Sequence, residues 1–144
     1  CWYFNARPSI GKGLVTEIPK GLNYSLWEGP APHKDFRSNF LHYNWHWFWN
    51  WGNGELGNNG IHMIDLCRWG LKVDYPEKVT STGGRYHFED DQETPDTQIV
   101  TFDFPGKKTI TWEGNSCVMH PVSQPADVIF FGEKGSLMIR GSGY

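Results

Sequence analysis

Gly54-Glu55-Leu56-Gly57-Asn58-Asn59-Gly60-Ile61-His62-Met63-Ile64-Asp65-Leu66-Cys67-Arg68-Trp69 passes, without a break, from a glycine- and asparagine-rich lead-in to an apolar helix that carries one histidine and one aspartate. At about 100° per residue, Asn58, His62, Asp65 and Trp69 fall on one narrow face, and Met63, Ile64, Cys67 and Leu71 on the opposite one. The pattern predicts a helix from about Gly57 or Asn58 to Leu71, closed by Gly70 and the polar Lys72 to Asp74. Its apolar side should pack on a sheet and its polar stripe should face something else. Asn58 precedes His62 by one helical turn and Asp65 follows it by three residues, so an amide and a carboxylate can flank one imidazole. An imidazole titrates near neutrality and can take a proton from a substrate hydroxyl while a neighbour fixes its tautomer. Spacing alone leaves a plainer reading open, in which His62 is a satisfied helix histidine and Asp65 bonds to a backbone amide.

Immediately upstream runs His42-Tyr43-Asn44-Trp45-His46-Trp47-Phe48-Trp49-Asn50-Trp51, whose aromatics alternate as in a strand but too densely for one-sided burial. Flat sugar faces stack on indole rings, so one or two of these side chains are candidates for a ligand platform, and the others for core. His42 and His46, with His62 and Asp65, are of ligand types that zinc accepts. No HExxH or HxH spacing joins them, and the sequence assigns no metal site. Gly11-Lys12-Gly13 and Gly83-Gly84 fit neither GxGxxG between strand and helix nor a Walker A spacing, so no nucleotide-binding fingerprint is present.

Farther out, composition bounds the function. The 144 residues are one domain's worth, with a net charge of −3 and no cationic run of the kind nucleic-acid binding requires. No apolar stretch approaches the roughly 20 residues that span a bilayer. The three cysteines are odd in number and far apart, which points to buried thiols rather than a disulfide framework. Nothing in the sequence fixes a cellular compartment.

Taken in order, residues 1–5 suit a strand already under way, which suggests a piece of something longer. Residues 7–40 are broken by glycine and proline. So long an irregular segment either covers a site, crosses to a neighbouring domain, or packs on its own Leu22, Tyr24, Leu26 and Trp27. After the helix, residues 78–89 read as a strand and 89–95 as an acidic turn. Residues 97–104 and 107–113 then flank Pro105-Gly106 as a hairpin, a looser stretch runs from 115 to 125, and 128–131 and 136–140 form a last strand pair. One main helix followed by hairpins predicts an α+β fold with an open, largely antiparallel sheet and irregular covering loops.

The helix stretch resembles the G-x-L-x-D-x-G-x-H-x-x-D segment of the Gfo/Idh/MocA oxidoreductases, the family of glucose–fructose oxidoreductase and inositol dehydrogenase. Tyr3-Phe4-Asn5-Ala6-Arg7-Pro8-Ser9-Ile10-Gly11, Leu26-Trp27-Glu28-Gly29-Pro30-Ala31-Pro32 and Gly132-Glu133-Lys134-Gly135-Ser136-Leu137 also resemble segments of that family's C-terminal domain, in the same order. The resemblance is strongest to a bacterial subgroup with a Trp-rich segment before the helix. It implies that residues 1–144 are a single substrate-binding and oligomerisation domain. The Rossmann domain that binds NAD or NADP, and the lysine of a Glu-Lys-Pro motif, would lie outside this chain. It further implies a sugar or polyol substrate, His62 as general acid/base with Asn58 and Asp65 beside it, and Trp45, His46 and Asn59 on the substrate side. A homo-oligomer is expected through a sheet face, with Val100, Phe102 and Phe104 as its residues. Two departures stand out: Asn58 where the family usually has Asp, and His46 where an Arg often follows Trp. An NAD-dependent glycosidase of the same family and a non-catalytic sugar-binding or scaffold domain are the alternative functions.

Overall fold

The computed structural model describes residues 1–120, 127–141 and 143. The elements are β1 (Trp2–Phe4), α1 (Tyr24–Glu28), α2 (Ile61–Leu71), β2 (Lys78–Gly84), β3 (Thr97–Phe104), β4 (Lys108–Asn115), β5 (Val128–Gly132) and β6 (Gly135–Ile139). A four-stranded sheet has the order β1-β4-β3-β2, and β5 pairs with β6 in a separate ribbon. Only β1 runs parallel to its neighbour, so the fold is α+β with an open, antiparallel-rich sheet and one main helix, as the pattern predicted. The Pro105-Gly106 turn joins β3 to β4, with Phe104 opposite Lys108.

β4 shows why one face of this sheet is closed. Ile110, Trp112 and Gly114 are buried while Thr109, Thr111 and Glu113 alternate with them in solvent. Val100 lies opposite Trp112 and Phe102 opposite Ile110, so the same face continues across β3. The helix lies on it: Cys67, Phe104, Ile110 and Val128 form a core, with Met63, Leu71 and Phe102 packed against it. Two glycines allow close approach. A Cβ at Gly60 would stand 2.9 Å from the Trp112 ring, and one at Gly70 would stand 2.5 Å from the Phe130 ring. Gly70 is therefore a helix–ribbon contact and not the helix stop. The stop is Lys72, in the left-handed conformation (φ 52°), whose N–H reaches back to the carbonyl of Trp69.

This arrangement corrects the expected subunit face. Val100 and Phe104 are both buried inside the chain, Phe104 in the core shared with the helix and ribbon, so neither is on an open face. The open face carries Ile99 and a cross-strand row of threonines, Thr80–Thr101–Thr111.

The long irregular segment is a lobe with its own core. Tyr24, Phe36, Phe40 and Phe48 are buried together, with Ile10, Leu22, Trp27, Leu41 and Trp51 against them. Phe40 meets Phe48 and Trp51 edge-on, each at 4.8 Å between centroids. Of the readings the sequence allowed, self-packing holds for Leu22, Tyr24 and Trp27, whereas Leu26 is exposed. The aromatic run is not strand-like. Residues Asn44–Trp47 form a 3₁₀ turn between irregular flanks, and the consecutive Trp47 and Phe48 are both buried, which one-sided alternation forbids.

The acidic turn fastens this lobe to the sheet. Asp90 accepts from the Ser9 hydroxyl (2.8 Å) and the Ile10 N–H (2.9 Å). Asp91 accepts from the Gly13 N–H (2.7 Å) and Asn39 Nδ2 (3.1 Å). Glu93 takes Lys34 Nζ (3.0 Å) and the Trp49 N–H (2.8 Å). Behind them Arg85 binds Asp96 (3.1 Å) and Asp90, and the fully buried Asp96 also accepts the N–H groups of Tyr86 and His87. The strand β2 ends at Gly84, short of the predicted 89, because these residues turn to serve that knot.

Candidate active site

The helix begins earlier than its apolar periodicity suggests. Gly54 and Glu55 are already helical, and residues Leu56–Gly60 make one π turn before α2. Single π turns inside helices recur at functional sites, because the extra residue widens the turn and re-aims side chains. Asn58 lies within this turn, and its amide has partners other than His62. The Asn58 amide donates to Tyr43 Oη (3.2 Å) and Glu55 Oε1 (3.3 Å) instead of flanking the imidazole.

Glu55 immediately precedes that turn and is only 3% exposed. A buried carboxylate must be paired and hydrogen-bonded to be tolerable. Arg7 supplies both, donating from Nε to Oε2 (3.1 Å) and from Nη2 to Oε1 (3.4 Å), while the amides of Asn58 and Asn59 donate to Oε1. The Arg7 guanidinium lies 4.9 Å over the Trp47 ring and 5.4 Å from the Tyr43 centroid, and it also donates to Tyr43 Oη (3.1 Å) and Tyr3 Oη (3.4 Å). Burial alone would pull the guanidinium down; Glu55 beside it, with Tyr43, reverses this and holds it above its ordinary value. Four of the five guanidinium N–H groups are taken up by Glu55, Tyr43 and Tyr3. Its charge is already paired with Glu55 at 3.1 Å.

The polar stripe of α2 is the opposite case. His62, Asp65 and Trp69 are all exposed, Trp69 at 81%, so the predicted face does point away from the core. No described residue forms a hydrogen bond or ion pair with the His62 ring. Asp65 reaches Arg68 at 4.0 Å rather than His62. Asn58, His62 and Asp65 thus share a helix but are not one hydrogen-bonded constellation, and Asn59 is committed to Glu55.

Beside Arg7 the aromatic turn presents Tyr43, Trp45 and His46. Trp45 stacks on the His46 imidazole at 3.8 Å between centroids, and the Tyr43 ring lies against it at 4.5 Å. His46 Nδ1 meets the Tyr43 carbonyl oxygen at 2.5 Å. A carbonyl can only accept, so Nδ1 carries the proton and the neutral ring keeps its lone pair on Nε2. The described residues include no group of three or more His, Cys, Asp or Glu placed to hold a metal ion, and no described helix is long and apolar enough to cross a membrane.

Sequence reasoning missed Glu55, Arg7, Tyr3 and Tyr43 as members of this cluster. One signal was available: a lone glutamate in the apolar, glycine-rich Gly54-Glu55-Leu56-Gly57 needs a cationic partner if it is buried. Its partner lies 48 positions away and leaves no local trace. No curated protein matches the sequence. A family model described as "GFO/IDH/MocA C-terminal domain" matches residues 29–138, well over half of the chain, and spans both the aromatic turn and the His62 helix, so the chain belongs to the Gfo/Idh/MocA family as its C-terminal domain.

Proposed function

We propose that this chain is the substrate-side domain of an NAD(P)-dependent oxidoreductase acting on a sugar or polyol hydroxyl, with His62 as the group that takes up the hydroxyl proton. The family is generally one of oxidoreductases that bind NAD(P) in an N-terminal Rossmann domain. The observation that carries the reading is His62 itself: an exposed imidazole without a hydrogen-bond partner among the described residues, on the first turn after a π turn.

Oxidation of an alcohol removes a hydride from carbon, which a nicotinamide accepts, and a proton from oxygen. The chain has no glycine-rich strand-to-helix turn of its own for a dinucleotide, so in this proposal the cofactor is held by a Rossmann domain outside residues 1–144. What these residues contribute is the proton acceptor at His62, with Trp45, Tyr43 and His46 beside the approach to it. Asn58 acts through Tyr43 and Glu55, and Asp65 stands on the same exposed face. The open sheet face with Ile99 and the threonine row is the surface proposed for a second copy of the chain.

The test is hydride transfer by the full-length protein and its His62→Ala variant. Removing a general base lowers kcat by roughly 10²- to 10⁴-fold. Undiminished turnover would remove His62 from the mechanism. Light scattering that gives a monomer at high concentration would remove the proposed assembly.

A further inference from the structure

We propose that Tyr43 and His46 form a donor–acceptor pair that holds neighbouring hydroxyls of an uncharged ring polyol, and that this pair sets substrate specificity. The inference rests on the reading of His62 above and adds two specificity residues to it. Tyr43 Oη accepts from Arg7 Nη1 at 3.1 Å and from Asn58 Nδ2 at 3.2 Å. A phenol oxygen has two acceptor positions and one proton, so with both positions filled the hydroxyl can act only as a donor. No described residue accepts that proton, and Tyr43 is 48% exposed. A guanidinium as one of its two donors makes the hydroxyl a stronger donor in turn, since chained hydrogen bonds polarise one another.

His46 is its complement. The Tyr43 carbonyl fixes the proton on Nδ1, which leaves the Nε2 lone pair as an acceptor, and no described donor occupies it. Trp45 and Tyr43 pack on the ring, so its orientation is set and its edge is what a ligand meets. The two rings stand 4.5 Å apart between centroids on one turn of chain, so one ligand can meet both.

This pairing discriminates by chemistry. An alcohol both accepts and donates, so neighbouring hydroxyls satisfy Tyr43 and His46 together. A carboxylate can only accept and would face the Nε2 lone pair unpaired; an ammonium can only donate and would face the Tyr43 proton. The guanidinium that could have favoured an anion is consumed by Glu55. At residue 46 a histidine offers an acceptor, where an arginine would be a permanent donor and cation.

The experiment uses the full-length protein, with calorimetric binding of myo-inositol as the neutral probe and glucuronate as the anionic one. The variants are Tyr43→Phe, which keeps the ring, and His46→Arg, with His62→Ala carried in parallel for hydride transfer. Tyr43→Phe and His46→Arg should each raise the Kd for myo-inositol by about tenfold or more, as loss of one partner strands the other polar group. His46→Arg should also move the preference towards glucuronate. Inositol affinity within twofold of wild type in both variants, no measurable inositol binding by wild type, or tighter wild-type binding of glucuronate would each overturn the pair. If the pair fails while His62→Ala abolishes turnover, the His62 reading survives; if His62→Ala keeps full turnover, that reading fails and the pair is still decided by its own affinities.

Discussion

Two kinds of polar region exist in this domain. The Arg85–Asp90–Asp96 knot and the Arg7–Glu55 cluster are closed: charges lie inside the protein with opposite charges, backbone N–H groups and side-chain amides as partners. The His62–Asp65–Trp69 stripe is open, with the imidazole bonded to none of the described residues. A buried charge without a partner costs several kcal/mol, so closed regions are what folding demands. An exposed polar stripe beside exposed Trp69 and Ile61 is demanded by nothing in the fold. The difference separates residues that hold the structure from residues available to a substrate or a neighbouring domain.

The largest effect should come from opening a closed region. Asp96→Ala would leave the Arg85 guanidinium and the Tyr86 and His87 N–H groups short of an acceptor in a site where Asp96 is 1% exposed. The expected loss is about 3–5 kcal/mol, a fall in Tm of roughly 10 °C or more for a domain of this size. A calorimetric loss under about 1 kcal/mol would mean that the knot is not the fastening point between lobe and sheet. Glu55→Gln keeps the shape and one carbonyl acceptor but removes the charge facing Arg7, so its cost should be smaller, about 1–3 kcal/mol. Because Arg7 would then be released from its ion pair, this variant should also bind anionic sugars better than wild type, which sharpens the distinction between a spent cation and a free one.

His62→Ala is the converse. The side chain is exposed and unpartnered, so unfolding free energy should stay within about 0.5 kcal/mol of wild type. Thermal denaturation alongside the turnover assay checks it. A loss above about 2 kcal/mol would make His62 a structural residue and collapse the contrast.

The same contrast explains what could be read from the sequence. The exposed stripe and its apolar counterpart were legible because both follow from 3.6-residue periodicity: Met63, Cys67 and Leu71 do pack inward while His62, Asp65 and Trp69 do not. The β3–β4 hairpin was legible from Pro105-Gly106 and alternation. The closed regions were not, because Asp90 meets Ser9 across 81 positions and Glu55 meets Arg7 across 48, and ion pairing at such separations has no period. Residues 89–95 read only as an acidic turn for that reason. The π turn was also invisible, and so was the commitment of the Asn58 amide within it to Tyr43 and Glu55, although spacing suggested a pair with His62.

One pair lies between closed and open, and it should give the smallest effect. Glu28 is buried in the aromatic lobe and accepts the Lys34 N–H at 2.7 Å, while His33, 71% exposed, lies 2.8 Å from its other oxygen. The hydrogen bond from His33 holds the Glu28 carboxyl below its usual range, helped by the Lys34 N–H; the same bond and charge raise His33 above 6.5. The raised histidine contributes stability that is fully present below about pH 6.5 and is lost as pH rises through its folded value. The lowered carboxylate contributes stability that is present above about pH 4.5 and is lost as pH falls through its folded value. Their joint contribution is therefore greatest between those two pH values, the opposite of a pair that strengthens towards alkaline pH. His33→Gln should lower Tm more at pH 5.5 than at pH 9, by a margin that shrinks with added salt because the histidine is exposed. A Tm difference that is the same at both pH values, or larger at pH 9, would show that His33 acts through packing against Tyr24 and not through its charge.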